Sequence, residues 1–186
     1  MERKYYRIML GRKHMHAEEC YNGEYFGGGW NIDLDLTNKF PPDWKDFNTK
    51  YISVYLENNP GKGKVAAGLA CGMLYTLCKS IKKGDIALCP NGKGEYYVGE
   101  VVGDYFYVPG EKIPHRRKVK WYTGTIVRSE MSQALQRSTG SAATVANVSQ
   151  YAKEIEALIS GDAPPQIIAN DELIEDPSVF ALEKHL

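Results

Sequence analysis

No stretch of this 186-residue chain approaches the ~20 consecutive apolar residues that cross a bilayer, and the opening Met1-Glu2-Arg3-Lys4 lacks the apolar segment of a secretory signal. A chain without a membrane span or export signal is expected in the cytoplasm. Catalytic signatures are missing as well. There is no HExxH, no GxSxG and no phosphate-cradling loop, since Gly61-Lys62-Gly63-Lys64 has neither a strand before it nor a hydroxyl residue after it. An Asp followed by Glu-x-Lys or Asp-x-Lys on a strand would hold Mg²⁺, and Glu18, Glu19 and Glu24 do not supply that pattern. Cysteine is sparse. Cys20, Cys71, Cys78 and Cys89 form no CxxC pair, and the four histidines do not stand at metal-ligand spacing beside them. They read as reduced, mostly buried thiols, and neither metal nor cofactor is expected for this chain.

What the chain lacks in net charge it has in asymmetry. Lys and Arg balance Asp and Glu at 23 each, yet residues 1–128 hold 20 basic against 14 acidic side chains, a net of +6, and residues 129–186 hold 3 against 9, a net of −6. A basic part with interleaved aromatics suits a polyanion, while a solvated lysine-rich surface is the plainer reading.

Residues 84–121 organise the rest. Gly84-Asp85 delivers the chain into Ile86-Ala87-Leu88, Asn91-Gly92 and Lys93-Gly94 reverse it into a run from Tyr96 to Val102, and Gly103-Asp104 breaks that run before Tyr105-Phe106-Tyr107-Val108. After Pro109-Gly110, residues 115–121 alternate, with Val119 and Trp121 on one strand face and Lys118 and Lys120 on the other. The pattern predicts an α+β chain built on a small, strongly curved antiparallel sheet, closed as a barrel, with a basic rim.

Upstream, residues 4–10 predict a first strand and residues 14–21 a short helix. Gly27-Gly28-Gly29 before Trp30 allow close backbone approach to a neighbouring strand or a ligand, or mark a bulge at a barrel corner. Asp33 and Asp35 alternate with Ile32, Leu34 and Leu36, as surface positions of a strand or as polar groups beside a pocket lined by Trp30. Asp43 starts a helix whose Trp44, Phe47, Tyr51 and Tyr55 share a face, and the loop carrying Lys62 and Lys64 precedes a second helix over residues 65–80 with Leu69, Met73 and Leu77 toward the core. Ser129 caps a further short helix, and a last one is predicted from Thr144 to about Ser160, followed by a Pro-rich acidic linker over 161–178.

The series Tyr6-Arg7-Ile8-Met9-Leu10-Gly11, Ala17-Glu18-Glu19-Cys20, Phe26-Gly27-Gly28-Gly29-Trp30, Asp33-Leu34-Asp35-Leu36, the Gly-Asp entry, the "vGev.gdY.Y" pair and the HRRKVKW strand resembles the PUA-like barrel of the EVE and YTH type. That version stands at the N-terminus of modification-dependent restriction endonucleases, and the match runs over about residues 5–160. Residues 179–186 resemble the opening helix of a PD-(D/E)xK, Mrr-like nuclease domain, although an ordinary C-terminal helix reads the same way. The resemblance implies a base-reading domain over residues 1–160, the linker, and the start of a nuclease domain absent from the chain. Mg²⁺ belongs only to that missing domain, through which the protein would dimerise. The whole would be a type IV-like enzyme of restriction-modification and phage defence.

Base reading by flipping needs aromatics for the ring, polar groups for its edge and cations for phosphates. Trp30, Asp33, Asp35, Tyr105 and Tyr107 are the pocket candidates, and Tyr75 joins them by resemblance alone. Lys62, Lys64, His115, Arg116, Arg117, Lys118 and Lys120 are the candidates for the nucleic-acid backbone. The expected partner is double-stranded DNA carrying a modified base. Modified RNA, or a structural role in protein interaction with no nucleic acid, are the alternatives.

Overall fold

The computed structural model describes residues 2–161. Strand β1 (Tyr5–Ile8) is buried throughout, and a 3₁₀ turn over Arg12–His14 and helix α1 (Ala17–Gly23) lead into β2 (Tyr25–Gly28). Helix α2 (Trp44–Asn58) starts at Asp43, whose carboxylate accepts from Lys45 N at 2.9 Å as an N-cap. Helix α3 (Lys64–Tyr75) runs on into a π-helical turn, Thr76–Ser80. Then come β3 (Ile86–Pro90), β4 (Glu95–Tyr107), β5 (His115–Val127), α4 (Gln133–Thr139), β6 (Val145–Asn147) and α5 (Ala152–Ser160).

These strands make one mixed sheet in the order β2-β5-β4-β3-β1-β6, antiparallel except where β1 lies beside β3. The expected closed barrel does not form. Strands β2 and β6, of four and three residues, stand at the two ends of the sheet, and their outer edges do not pair with each other. Gly27 and Gly28 of β2 and Thr144, at the entry to β6, nevertheless line a common cleft, a seam between the two ends of the open sheet.

Alternation along the strands divides the core between the two faces of the sheet. Tyr6, Ile8, Ala87 and Cys89 pack with α1, α2 and α3, while Tyr5, Ile86 and Leu88 pack with α4 and α5 through Leu135, Tyr151 and Ile155. Arg7, fully buried in β1, points its guanidinium at the chain entering β6, donating to Ala143 O at 2.7 Å and Ser141 O at 2.9 Å.

Four local expectations change. The last helix does not begin at Thr144, because Val145 to Asn147 are taken to pair the open edge of β1, and α5 follows only after a 3₁₀ turn at Ser149–Tyr151. Gly103-Asp104 does not end β4 but sits in a bulge, the register slipping between Val101 and Tyr105. Ser132 rather than Ser129 caps α4, accepting from Leu135 N at 3.1 Å. Residues 32–36 are loop: Ile32 and Leu36 are buried while Asp33, Leu34 and Asp35 are exposed, a spacing of four and not the two of a strand. The expected linker beyond Gly161 and the segment 179–186 lie outside the described residues. No described helix is long and apolar enough to cross a membrane.

Candidate functional site

The triple glycine is fixed by backbone at two positions and by the Trp30 ring at the third. A Cβ on Gly27 would collide with His115 O of β5, one on Gly29 would stand 2.6 Å from Lys112 O, and one on Gly28 would meet the Trp30 ring at 2.6 Å. The six-membered part of the Trp30 ring therefore rests against the bare backbone of Gly28. It is also held in a turn: Ile32 N donates to Gly29 O at 3.0 Å, and both central residues have positive φ, 53° at Trp30 and 55° at Asn31, in the manner of a type I′ turn. Neither residue is glycine, so the conformation costs roughly 1 kcal/mol or more at each position. Asn59, at the end of α2, offsets it. Its Nδ2 donates to Trp30 O at 3.2 Å and to Tyr55 O at 2.9 Å, and its Oδ1 accepts from Asn31 Nδ2 at 2.7 Å.

The half-buried Trp30 ring lines a cleft of about 430 Å³ at the seam of the sheet, within the usual size of a small-ligand site. Met9 and Ile113 supply apolar wall, Gly27 to Gly29 backbone, and Ala142 and Thr144 the far edge. Arg12 and Lys13 complete it, exposed and in no ion pair among the described residues. The Arg12–Lys13 loop is itself contorted, with positive φ at Lys13 and His14 after Gly11 at 83°. Six non-glycine residues with positive φ occur among those described, and four of them lie in the two loops bordering this cleft. The loop bearing Lys62 and Lys64 starts from the same place, since Lys62 N donates to Asn59 O at 3.2 Å and both lysines are exposed.

The other pocket candidates are elsewhere. Tyr75 is a core residue, 5% exposed, its hydroxyl donating to Pro41 O and its ring among Phe40 and Phe47. Asp33 and Asp35 do not line the Trp30 cleft. Asp35 accepts from Thr37 N and Oγ1, and those bonds hold its carboxyl below the usual range. Tyr105 and Tyr107 gather with them around His115. The His115 ring is buried, its Nε2 donating to Ile32 O at 2.6 Å and its Nδ1 accepting from the Tyr105 hydroxyl at 2.9 Å, which in turn accepts from Leu36 N. Burial lowers the His115 pKa and raises those of Tyr105 and Tyr107, so all three are neutral at physiological pH. This cluster fastens the 32–36 loop to β4 and β5.

The basic strand is corrected by parity. His115 and Arg117 share the inward face with Val119, and Arg117 spends its donors on Gly103 O, Leu77 O and Ile81 O. Arg116 faces the other way but is only 8% exposed, its guanidinium 4.0 Å above the Tyr25 ring and its Nε on Ile113 O. Lys118 and Lys120 alone of this set are exposed. Arg12, Lys13 and Asn59 were missed by sequence reasoning. The Gly11-Arg12-Lys13 break after β1 was the available signal for the first two, and nothing local marks Asn59. The four cysteines are buried thiols with pKa values pushed up by burial, to about 12 at Cys20 and about 11 at Cys71. Among the described residues no three His, Cys, Asp or Glu side chains come together as a metal site.

A family model described as Domain of unknown function (DUF8426) matches residues 6–149, from β1 to the turn before α5. No curated protein matches the chain.

Proposed function

We propose that this chain, which belongs to the DUF8426 family, is a PUA-like reader of the EVE and YTH type that takes a modified base of DNA into the cleft beside Trp30. The observation that carries the reading is the concentration of strained backbone there: four of the six left-handed non-glycine residues border one small aromatic cleft, and such strain collects where a ligand is held. Extruding a base costs a few kcal/mol of unstacking, and stacking on an aromatic ring returns ~1 to 3 kcal/mol. Trp30 supplies the stacking face. Arg12 and Lys13 stand at the rim where the flanking phosphates would pass, with Lys62 and Lys64 on the adjoining loop. Met9 and Ile113 offer apolar contact to a methyl-sized substituent. The chain reads and does not cut; cleavage, with its Mg²⁺, falls to a PD-(D/E)xK domain of the same cytoplasmic protein.

The test is a panel of duplexes carrying different cytosine and adenine modifications, beside matched single-stranded RNA. One modified duplex should bind more tightly than its unmodified counterpart, and Trp30→Ala should abolish that difference, costing about 1 to 3 kcal/mol on the modified site while leaving nonspecific binding. Preference for modified RNA would move the reading to that substrate. No preference anywhere, or a preference that survives Trp30→Ala, would sink it.

A further inference from the structure

A second cleft, of about 820 Å³, opens beneath the π-helical turn at the end of α3. Phe40 and Tyr105 form one wall, their rings edge to face at 5.3 Å, and Arg117 and Cys78 lie at its base. Arg117 is 2% exposed and stands in no ion pair among the described residues. Three of its N–H groups go to main-chain carbonyls, which solvate the cation without neutralising it. Asp104 and Asp85 act on it through space, with no ion pair to it. Burial pushes the Cys78 thiol far up, so it stays protonated; Asp104 is paired with Lys83 at 3.4 Å; and Asp85 accepts from Lys82 N and Lys4 N. Lys79, Lys82 and Lys83 rim the opening, so four cations face one carboxylate, Asp104. The backbone is irregular on both sides: a π-helical turn carries Cys78 and Lys79, and Asn38 opposite has φ of 60°.

A buried arginine with no carboxylate in contact, beneath a lysine rim and beside an aromatic wall, is complementary to an anion attached to a flat ring. We propose that this second cleft binds a nucleotide unit, its phosphate at Arg117 and the rim lysines and its base against Phe40 and Tyr105. The phosphate is either the diester of a nucleic-acid strand or the monoester of a free nucleotide. The site is separate from the Trp30 cleft, with which it shares no lining residue, and does not depend on the base-reading role.

Calorimetric titration of the purified chain tests it with four probes: a deoxynucleoside 5′-monophosphate, the matching nucleoside, inorganic phosphate, and a short oligodeoxynucleotide without terminal phosphates. Arg117→Gln strips donors from three buried carbonyls and can unfold the protein, so the exposed Lys79→Gln/Lys82→Gln/Lys83→Gln variant carries the test. The monophosphate or the oligonucleotide should bind, the uncharged nucleoside should bind at least tenfold more weakly, and the triple variant should lose tenfold or more while Trp30→Ala binds as wild type. Binding of the monophosphate alone identifies a free nucleotide, and binding of the oligonucleotide alone identifies a strand. Failure of both to bind, equal binding by the triple variant, or loss of binding in Trp30→Ala overturns the proposal. The last outcome leaves the base-reading role standing, and a wild-type chain that binds the nucleotide yet prefers no modified duplex or RNA does the reverse.

Discussion

Asn59 shows how much one side chain can do for a neighbour it never stacks on. Its amide joins the end of α2 to both left-handed residues of the Trp30 turn, and without it the turn keeps its strain and loses its clamp. Asn59→Ala should cost about 1 to 3 kcal/mol of stability, from carbonyls left with fewer donors, and should weaken discrimination of the modified base while Trp30 itself is unchanged. Denaturant melts and the duplex panel measure the two effects; full discrimination in a destabilised protein would separate Asn59 from the site. His115 makes a pH prediction. Its folded pKa lies below the ordinary 6.5 because burial disfavours the charged ring. Above about pH 6.5 the imidazole is neutral folded or unfolded and nothing is lost. Below that the unfolded chain takes a proton that the folded one refuses, so stability should fall as pH drops, and His115→Gln should flatten part of the fall. His14, also lowered by burial, adds to that fall. The sequence marked Trp30 through its glycines but not Tyr75, which resemblance put near a pocket because it gives order along the chain and not which side of a helix faces a cleft; of the two readings open for Asp33 and Asp35, their exposure fits the surface one, on a loop in place of a strand.

Strand β2 ties site and sheet together in four residues, Tyr25–Gly28. Gly27 and Gly28 separate the two roles, and neither has positive φ, so alanine is judged by steric fit alone. Alanine at 27 would drive its Cβ onto a main-chain oxygen of β5, whereas alanine at 28 would meet only the far end of an indole ring. Gly27→Ala is therefore expected to lower the melting temperature by many degrees and Gly28→Ala by few, yet Gly28→Ala should lose modified-base preference as fully as Trp30→Ala. Thermal melts and binding on the same pair of proteins check it. Most elements were legible: α2 through Asp43 and the Phe47, Tyr51 and Tyr55 of its aromatic stripe, though Trp44, expected on the same face, is exposed; the β3–β4 hairpin through Asn91-Gly92; and the inward parity of Val119. Parity was legible further than it was used, since it also turns Arg117 inward. Strand β6 was not legible, because Val145 to Asn147 become a strand only when the free edge of β1, some 140 residues earlier in the chain, is there to receive them.

On the scale of the molecule, exposed cations are distributed around the described surface and not along one strand. Lys118 and Lys120 project from the outer face of β5, Arg12 and Lys13 from the loop at the seam, and Lys62 and Lys64 from the loop before α3 and its first residue. Replacing Lys118 and Lys120 by Ala should weaken modified and unmodified DNA alike and reduce the salt slope by about 0.9 for each phosphate that a lysine had neutralised. An unchanged slope would make them a solvated face. The seam has a further consequence, in time. Its walls come from segments around residues 9–13, 27–30, 113 and 142–144, so the cleft is assembled from most of the described chain and exists only once both ends of the sheet are in place. Pairings of such sequence separation form late in folding. A base seated there therefore has nothing to hold in the transition state, and its stabilisation should appear almost wholly as slower unfolding, with the refolding rate unchanged.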